Sequence, residues 1–445
     1  MSAKAGRVSA PLYRKASSPI ESGTVRPVLR EFIKTPARFI LRMLLSAGVL
    51  AFLLGLMLHF HVASYIYLAF TLTGSLAIYL WSRPTRGGMA CTLVAGLIFN
   101  AVYDISEGGW NLIALPAFIG LGSLAILNLT AIWCGAAAAP ARLDTLVAAV
   151  MLPLFQVLGG FCLAVTTVTN PTTYDRFLYA FDERLKISPG FLAGQLLDHS
   201  KILWHISYAC YEGIPLAMAL AFAIERSAPA RRRFSAMWAF IVAAAGGFLL
   251  YNLYPAAGPV HIFGARFPYS PPPALSPPYR LVAVDAAPRN AMPSVHLTLA
   301  LLIFWASRSW PRCFGLRARW LTGALLGITV LATLGFGEHY LVDLFVALPF
   351  ALVARSVAAP GVPWRGLRSA CVAGGTATVL GWIMYLRQPD PPAGTWAWVI
   401  LAATGLASIL LEWRLSRAAS QVPALAPDQR PVNQGEYREP HLAPG

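Results

Sequence analysis

The sequence has few charged residues for its length. Only 12% of its 445 residues are Asp, Glu, Lys or Arg, whereas 57% are hydrophobic. A water-soluble protein carries about twice that share of charge. The apolar runs are also too many and too long for the core helices of a globular domain. These features predict an all-α polytopic membrane protein.

Acidic residues are the scarcest charged class, with 19 against 35 basic residues and a net charge of +16. In a soluble protein this excess would suggest nucleic-acid binding. No basic stripe interleaved with aromatic residues occurs on a soluble domain, so we predict no nucleic-acid partner. In a membrane protein, basic residues instead mark the cytoplasmic loops.

The chain also lacks paired cysteine motifs, internal repeats and a cleavable signal. None of its six cysteines forms a CxxC pair, and most fall in apolar runs, so we expect neither a disulfide framework nor a zinc site. No period of 20–50 residues repeats, which excludes a solenoid. The first 38 residues are polar and basic, unlike a signal peptide.

Twelve apolar segments are candidate transmembrane helices. They are residues 39–60, 62–81, 88–103, 113–133, 144–168, 203–224, 234–254, 293–308, 320–338, 340–357, 369–386 and 395–412. With a cytoplasmic N-terminus, the inner segments hold 27 of the 35 Lys and Arg residues, as the positive-inside rule predicts. Both termini are then cytoplasmic, and we expect a plasma or inner membrane protein.

These segments divide the chain into five predicted regions. They are a disordered basic tail (1–38), transmembrane helices of unassigned role (39–143), a six-helix core (144–357), two further helices (358–412) and a disordered tail (413–445). Two outer segments lie within the core. Residues 169–200 fit either amphipathic interfacial helices or a packed loop, and the proline-rich residues 255–292 fit either an ordered cap without helix or a flexible connector.

Two polar islands on the outer side each open an apolar segment: Arg289-Asn290-Ala291-Met292-Pro293-Ser294-Val295-His296 and Gly337-Glu338-His339-Tyr340-Leu341-Val342-Asp343. Pro293 suits the first helical position, and Ser294 and His296 then lie in a first turn that favours anions. His339 and Asp343 are four residues apart and share a helix face, where a carboxylate can orient an imidazole. These residue types predict phosphoryl chemistry at the extracytoplasmic face.

The two islands resemble the Pro-Ser-x-His and His-Tyr-x-x-Asp motifs of the type-2 phosphatidic acid phosphatase superfamily, and most closely its inositol phosphorylceramide synthase branch. The resemblance covers about 144–357, where the motifs open the fourth and sixth core helices. It implies that His339 is the nucleophile, Asp343 orients it, and His296 is the acid and base. It further implies that Ser294 holds the phosphoryl oxygens and that neither a metal nor a cofactor is needed.

Two basic motifs of the superfamily's phosphatases are missing. Ala332 and Thr333 replace a Ser-Arg pair, and no Lys or Arg occurs within 248–260. The synthase branch deviates at the same places. Other cations must then bind the phosphate, and Arg289 is the first candidate. The next candidates are Arg280 and Arg266.

The resemblance implies a membrane enzyme of lipid and sphingolipid metabolism. We expect it to transfer a phosphorylated head group from a phospholipid to a hydroxyl acceptor, and the alternative is a lipid phosphate phosphatase that uses water. A twelve-helix transporter is a second function class, and an acid at membrane depth such as Glu212 is typical of it. The alternative is that Glu212 has a structural role. Two other interpretations of His296 and His339 are open. They are capping residues without a catalytic role, or they bind a metal together with Asp343.

Overall fold

A computed structural model of the chain describes residues 36–58, 65–107, 114–133, 139–227, 235–273, 275–285, 287–310, 315–359, 361–388 and 395–421. The described part is helical apart from loops and one antiparallel strand pair. Its main elements are α1 (Pro36–Leu58), α2 (Tyr65–Trp81), α3 (Arg86–Glu107), α4 (Leu115–Trp133), α5 (Ala139–Thr169), β1 (Thr172–Thr173), α6 (Asp175–Arg184), α7 (Pro189–His199), α8 (Lys201–Glu212), α9 (Ile214–Ser227), α10 (Ala236–Leu253), α11 (Pro259–Phe263), β2 (Val282–Ala283), α12 (Val295–Ser307), α13 (Gly315–Gly335), α14 (Leu341–Val357), α15 (Ser369–Leu386) and α16 (Thr395–Gln421).

Helices coincide with all twelve predicted apolar segments, but fewer of them qualify as membrane spans. Six described helices are long and apolar enough: Arg86–Ile105, Arg142–Thr169, Ala236–Leu253, Gly315–Gly335, Trp364–Leu386 and Thr395–Gln421. Helices α8 and α9 form a seventh candidate that is bent by 52°. The chain is therefore an integral membrane protein, whereas a count of twelve spans is not confirmed.

Helices α12 and α14 form the centre of the bundle. Helix α12 packs against α9, α10, α13 and α14, and α14 packs against α10, α12, α15 and α16. Nine of the 13 residues of α12 are buried. Because protein rather than lipid surrounds α12, it need not be as long as a lipid-facing span.

The far ends of α12 and α14 meet α16 in a buried ionic cluster. Glu412, 1% exposed, pairs with Arg308 and lies 3.0 Å from Arg355 Nε, and Ser416 donates to the same carboxylate at 2.6 Å. This cluster explains why α16 continues past the apolar run to Gln421, where a disordered tail was predicted. The rest of that tail and residues 1–35 lie outside the described residues.

Both outer segments are ordered. In the first, α6 is mostly buried, whereas α7 exposes Leu192 and Leu196. In the second, the prediction of no helix is wrong for α11, because Pro259 at its first position loses no hydrogen bond there. The segment is held by α6, where Tyr179 donates to the Pro272 carbonyl at 2.7 Å.

The N-terminal helices pack closely through glycine. Helix α2 packs against α4, α5 and α9. A Cβ placed on Gly120 of α4 would overlap the Leu72 carbonyl oxygen of α2. Small residues allow such backbone contact between membrane helices.

We therefore expect Gly120→Ala to destabilise the bundle by about 1–3 kcal/mol, because the backbones must separate. Gly159→Ala is the matched control, since a Cβ on Gly159 of α5 meets nothing within 4 Å. Thermal unfolding in detergent measures both variants. Equal stability of the two would contradict the close contact between α2 and α4.

Candidate active site

His339 lies in the connection between α13 and α14 and is 1% exposed. Its Nδ1 is 2.7 Å from the Ala291 carbonyl oxygen. A carbonyl can only accept, so Nδ1 carries the proton and Nε2 keeps its lone pair in the neutral ring. That Nε2 lies 3.2 Å from Ser294 Oγ. The two polar islands of the sequence thus meet at one imidazole.

Ser294 is the N-cap of α12. Its Oγ accepts from Leu297 N at 3.3 Å, which leaves the hydroxyl proton for His339 Nε2. The helix therefore begins at Val295, two residues after Pro293, and the prediction of Pro293 at the first helical position is wrong. A capping hydroxyl needs the extended backbone that Ser294 has, so the proline is displaced out of the helix.

His296 is the second residue of α12 and lies between two tyrosines. Its ring stacks on Tyr211 with centroids 4.0 Å apart and meets the edge of Tyr67 at 6.1 Å. His296 follows two residues after Ser294, whose Oγ lies 3.2 Å from His339 Nε2. The histidines are therefore neighbours at the same end of the bundle. Tyr67 comes from α2, so the helices of unassigned role contribute to this site.

Asp343 is completely buried in the first turn of α14. Its Oδ2 accepts from Tyr340 N at 2.7 Å and lies 3.8 Å from His339 Nδ1, beyond hydrogen-bond distance. The Ala291 carbonyl, rather than this carboxylate, accepts the imidazole proton. Asp343 thus holds the backbone next to His339 and places a carboxylate near the ring.

Arg289 was predicted to bind phosphate, but its guanidinium binds backbone carbonyls. Its Nε, Nη1 and Nη2 donate to the carbonyls of Asn170, Ala287 and Val284, and the side chain is 1% exposed. The guanidinium thus joins the two outer segments beside the β1–β2 pair. Arg280 and Arg266 are exposed on the proline-rich segment.

Two aspartates of α6 hold the His339 connection, and sequence reasoning missed both. Asp175 accepts from Gly258 N at 2.7 Å and from the Tyr340 hydroxyl at 3.1 Å. Asp182 accepts from Leu341 N at 2.8 Å, at the start of α14. The two acids are seven residues apart and therefore share a face of α6. In the sequence, two acids at this spacing on an otherwise apolar helix face were the feature that could have identified them.

Burial sets the protonation of these groups. It lowers the pKa of His339 to about 4, against the opposing effects of the Ala291 carbonyl and Glu338, so the ring is neutral near pH 7. Burial raises the pKa of Asp182 to about 7, although the N–H groups of Leu341 and Val342 oppose it. It raises the pKa of Asp175 in the same way.

A raised carboxyl pKa makes stability depend on pH. Between about pH 4 and 7 the folded protein holds a proton on Asp182 that the unfolded chain releases, so stability falls as pH rises. We expect Asp182→Asn to flatten this fall in melting temperature. Asp198→Asn, an exposed acid on α7, is the control. An unchanged pH slope in Asp182→Asn would contradict the assignment.

Comparison with known proteins relates the segment around this site to a family. Residues 176–357 match a family model described as the PAP2 superfamily. Neither the curated proteins nor the solved structures give a significant match to the chain. The matched segment begins beside Asp175 and ends with α14, so it contains both histidines. Among the described residues, no group of three or more His, Cys, Asp and Glu side chains is arranged to hold a metal ion.

Proposed function

We propose that this chain is a membrane enzyme that cleaves a lipid phosphoester through a phosphohistidine, because residues 176–357 match the PAP2 superfamily model. The proposed reaction moves a phosphorylated head group from a phospholipid to a lipid or polyol hydroxyl. One observation carries the proposal: the unprotonated Nε2 of His339 lies 3.2 Å from Ser294 Oγ, at the start of the helix that carries His296.

In the first half-reaction, His339 Nε2 attacks phosphorus and the bond to the diacylglycerol oxygen breaks. His296, in its imidazolium form, gives a proton to that oxygen, so diacylglycerol leaves neutral and His296 becomes the neutral base for the next step. The phosphorylated ring of His339 becomes cationic. The carboxylate of Asp343, 3.8 Å from its Nδ1, stabilises this charge. The Ser294 hydroxyl and the first N–H groups of α12 bind the phosphoryl oxygens.

In the second half-reaction, His296 removes the proton of an acceptor hydroxyl, whose oxygen attacks phosphorus and breaks the P–N bond. A lipid or polyol acceptor gives transfer, and water gives hydrolysis. Ser294 and Asp343 are 0% exposed and His339 is 1% exposed. Such burial disfavours water and supports transfer. The motif resemblance to inositol phosphorylceramide synthases also supports a hydroxyl acceptor.

The site belongs on the extracytoplasmic face in this proposal. Helices α12 and α14 both begin at the site, and their other ends carry Arg308 and Arg355. Basic residues favour the cytoplasmic side. The site is then at the opposite face, within reach of outer-leaflet lipids.

His339→Ala should lower turnover of any phospholipid donor by about 10³-fold or more, because the nucleophile is lost. His199→Ala is the control, since His199 also places Nδ1 2.7 Å from a carbonyl, that of Gln195, but is exposed on α7. Diacylglycerol release and trapping of labelled phosphoenzyme are the measurements. Activity retained in His339→Ala would remove the proposed nucleophile.

Ser294→Ala should remove both a helix cap and a phosphoryl ligand. We expect a loss of about 1 kcal/mol in stability and of about 10²-fold in kcat. Ser235→Ala provides the comparison, because Ser235 caps α10 by accepting from Trp238 N and contacts neither histidine. If both variants lose stability but keep wild-type kcat, Ser294 acts only as a cap.

A transporter is the second candidate function. It is favoured by the 52° bend between α8 and α9 at Glu212, since broken helices line transporter sites. Purified protein in detergent with mixed lipids separates the two functions. Covalent change of a lipid without any gradient supports the enzyme, and unchanged lipids support transport.

A further inference from the structure

An aromatic wall lies beside the catalytic histidines, formed by Tyr67, Tyr208, Tyr211 and Phe336. Tyr211 stacks on His296, and Phe336 packs against Tyr211 at 5.8 Å and against Tyr208 at 6.1 Å. The catalytic steps above use none of these rings. Three of them are electron-rich phenols, whose faces attract cations.

Two carboxylates adjoin this wall. Glu212 lies one turn after Tyr208 on α8, and Glu338 lies two residues after Phe336, which contacts Tyr208 and Tyr211. Repulsion between Glu212 and Glu338 is consistent with this placement. Glu338 is 3.7 Å from His261 Nε2, so that acid has a partner. Glu212 has no hydrogen bond or ion pair within the described residues. Two like charges therefore repel each other next to the place proposed for phosphate.

Glu212 is unusual for an acid with only a structural role. It lies half-buried at the bend between α8 and α9, in a part of the chain built from apolar helices. Buried polar groups of structural importance are normally hydrogen-bonded. A second polar group on α8 is also unpaired: Ser207 Oγ is fully buried without a partner in the described part, one turn before Tyr211 on the same face.

The charge pattern selects among phosphate-containing head groups. Among the three arginines predicted to bind phosphate, Arg289 donates to three carbonyls, and Arg266 and Arg280 are exposed. Glu338, by contrast, directly precedes His339 in the chain. A phosphomonoester dianion would be repelled by the two acids. A phosphodiester carries one negative charge, and an ammonium group on its head group would relieve the repulsion between Glu212 and Glu338.

We propose that the aromatic wall with Glu212 and Glu338 binds the ammonium of a zwitterionic phospholipid head group while His339 and Ser294 engage its phosphate. The inference rests on the proposed function and specifies its donor. Two carbons and one oxygen separate nitrogen from phosphorus in ethanolamine and choline head groups, so the ammonium site must adjoin the histidines. The ammonium stays attached to phosphorus through both half-reactions and occupies the same place throughout.

The test compares five donors with identical acyl chains in detergent micelles: phosphatidylethanolamine, phosphatidylcholine, phosphatidylglycerol, phosphatidylinositol and phosphatidic acid. Diacylglycerol release is measured, since it follows from the first half-reaction whatever the acceptor. We expect kcat/KM to be at least about tenfold higher for the two zwitterionic donors, the effect of one charge-assisted contact. Equal or higher values for phosphatidylinositol, phosphatidylglycerol or phosphatidic acid would overturn the inference.

Glu212→Gln tests the assigned side chain. We expect it to lower kcat/KM for the zwitterionic donors by about tenfold and to leave phosphatidylglycerol within twofold of wild type. Asp198→Asn, an exposed acid outside the wall, should change no donor. An equal loss for every donor would show a structural role for Glu212 and contradict the inference. If Glu212→Gln does not fold, the wild-type donor series decides.

The two proposals fail in different ways. If wild-type protein releases diacylglycerol from no donor, the proposed function fails and the head-group assignment fails with it. If it releases diacylglycerol in a His339-dependent manner but prefers anionic donors, the enzyme assignment stands and only the ammonium site is rejected.

Discussion

The hydrogen bond from His339 Nδ1 to the Ala291 carbonyl is the contact on which the site depends. It joins two segments 48 residues apart and selects one tautomer of the ring. The lone pair of Nε2 then points toward Ser294 and the start of α12. Without this contact, the two polar islands would be neighbours at one end of the bundle without a common reaction centre.

Contacts from the surrounding structure fix the position of this hydrogen bond. Asp175 of α6 accepts from the Tyr340 hydroxyl, and Asp182 accepts from Leu341 N. Gly258 completes the arrangement at φ +100°, where a Cβ would lie 2.5 Å from the Glu338 carbonyl. An outer helix, a proline-rich segment and two central helices thus all act on the position of one imidazole.

The two central helices are also arranged with favourable charge. Their N-terminal ends, which carry positive dipole charge, face the proposed phosphate position. Their C-terminal ends carry Arg308 and Arg355, which complement the negative end of each dipole and are balanced by Glu412. The same helix polarity that favours an anion at one end therefore favours basic residues at the other.

Local sequence determined the class of the protein, the positions of its apolar helices and the two islands that carry His296, Ser294, His339 and Asp343. These follow from periodicity, charge and motif, which act over a few residues. Only the tertiary structure decided the partners of each side chain. It engaged Arg289 with three carbonyls, gave His339 a backbone acceptor in place of Asp343, and brought Tyr67, Asp175 and Asp182 to the site. Apart from the Val284 and Ala287 carbonyls that Arg289 binds, these partners lie from 48 to nearly 230 positions apart in the chain. No local pattern encodes which distant backbone or ring a polar group will meet once helices pack.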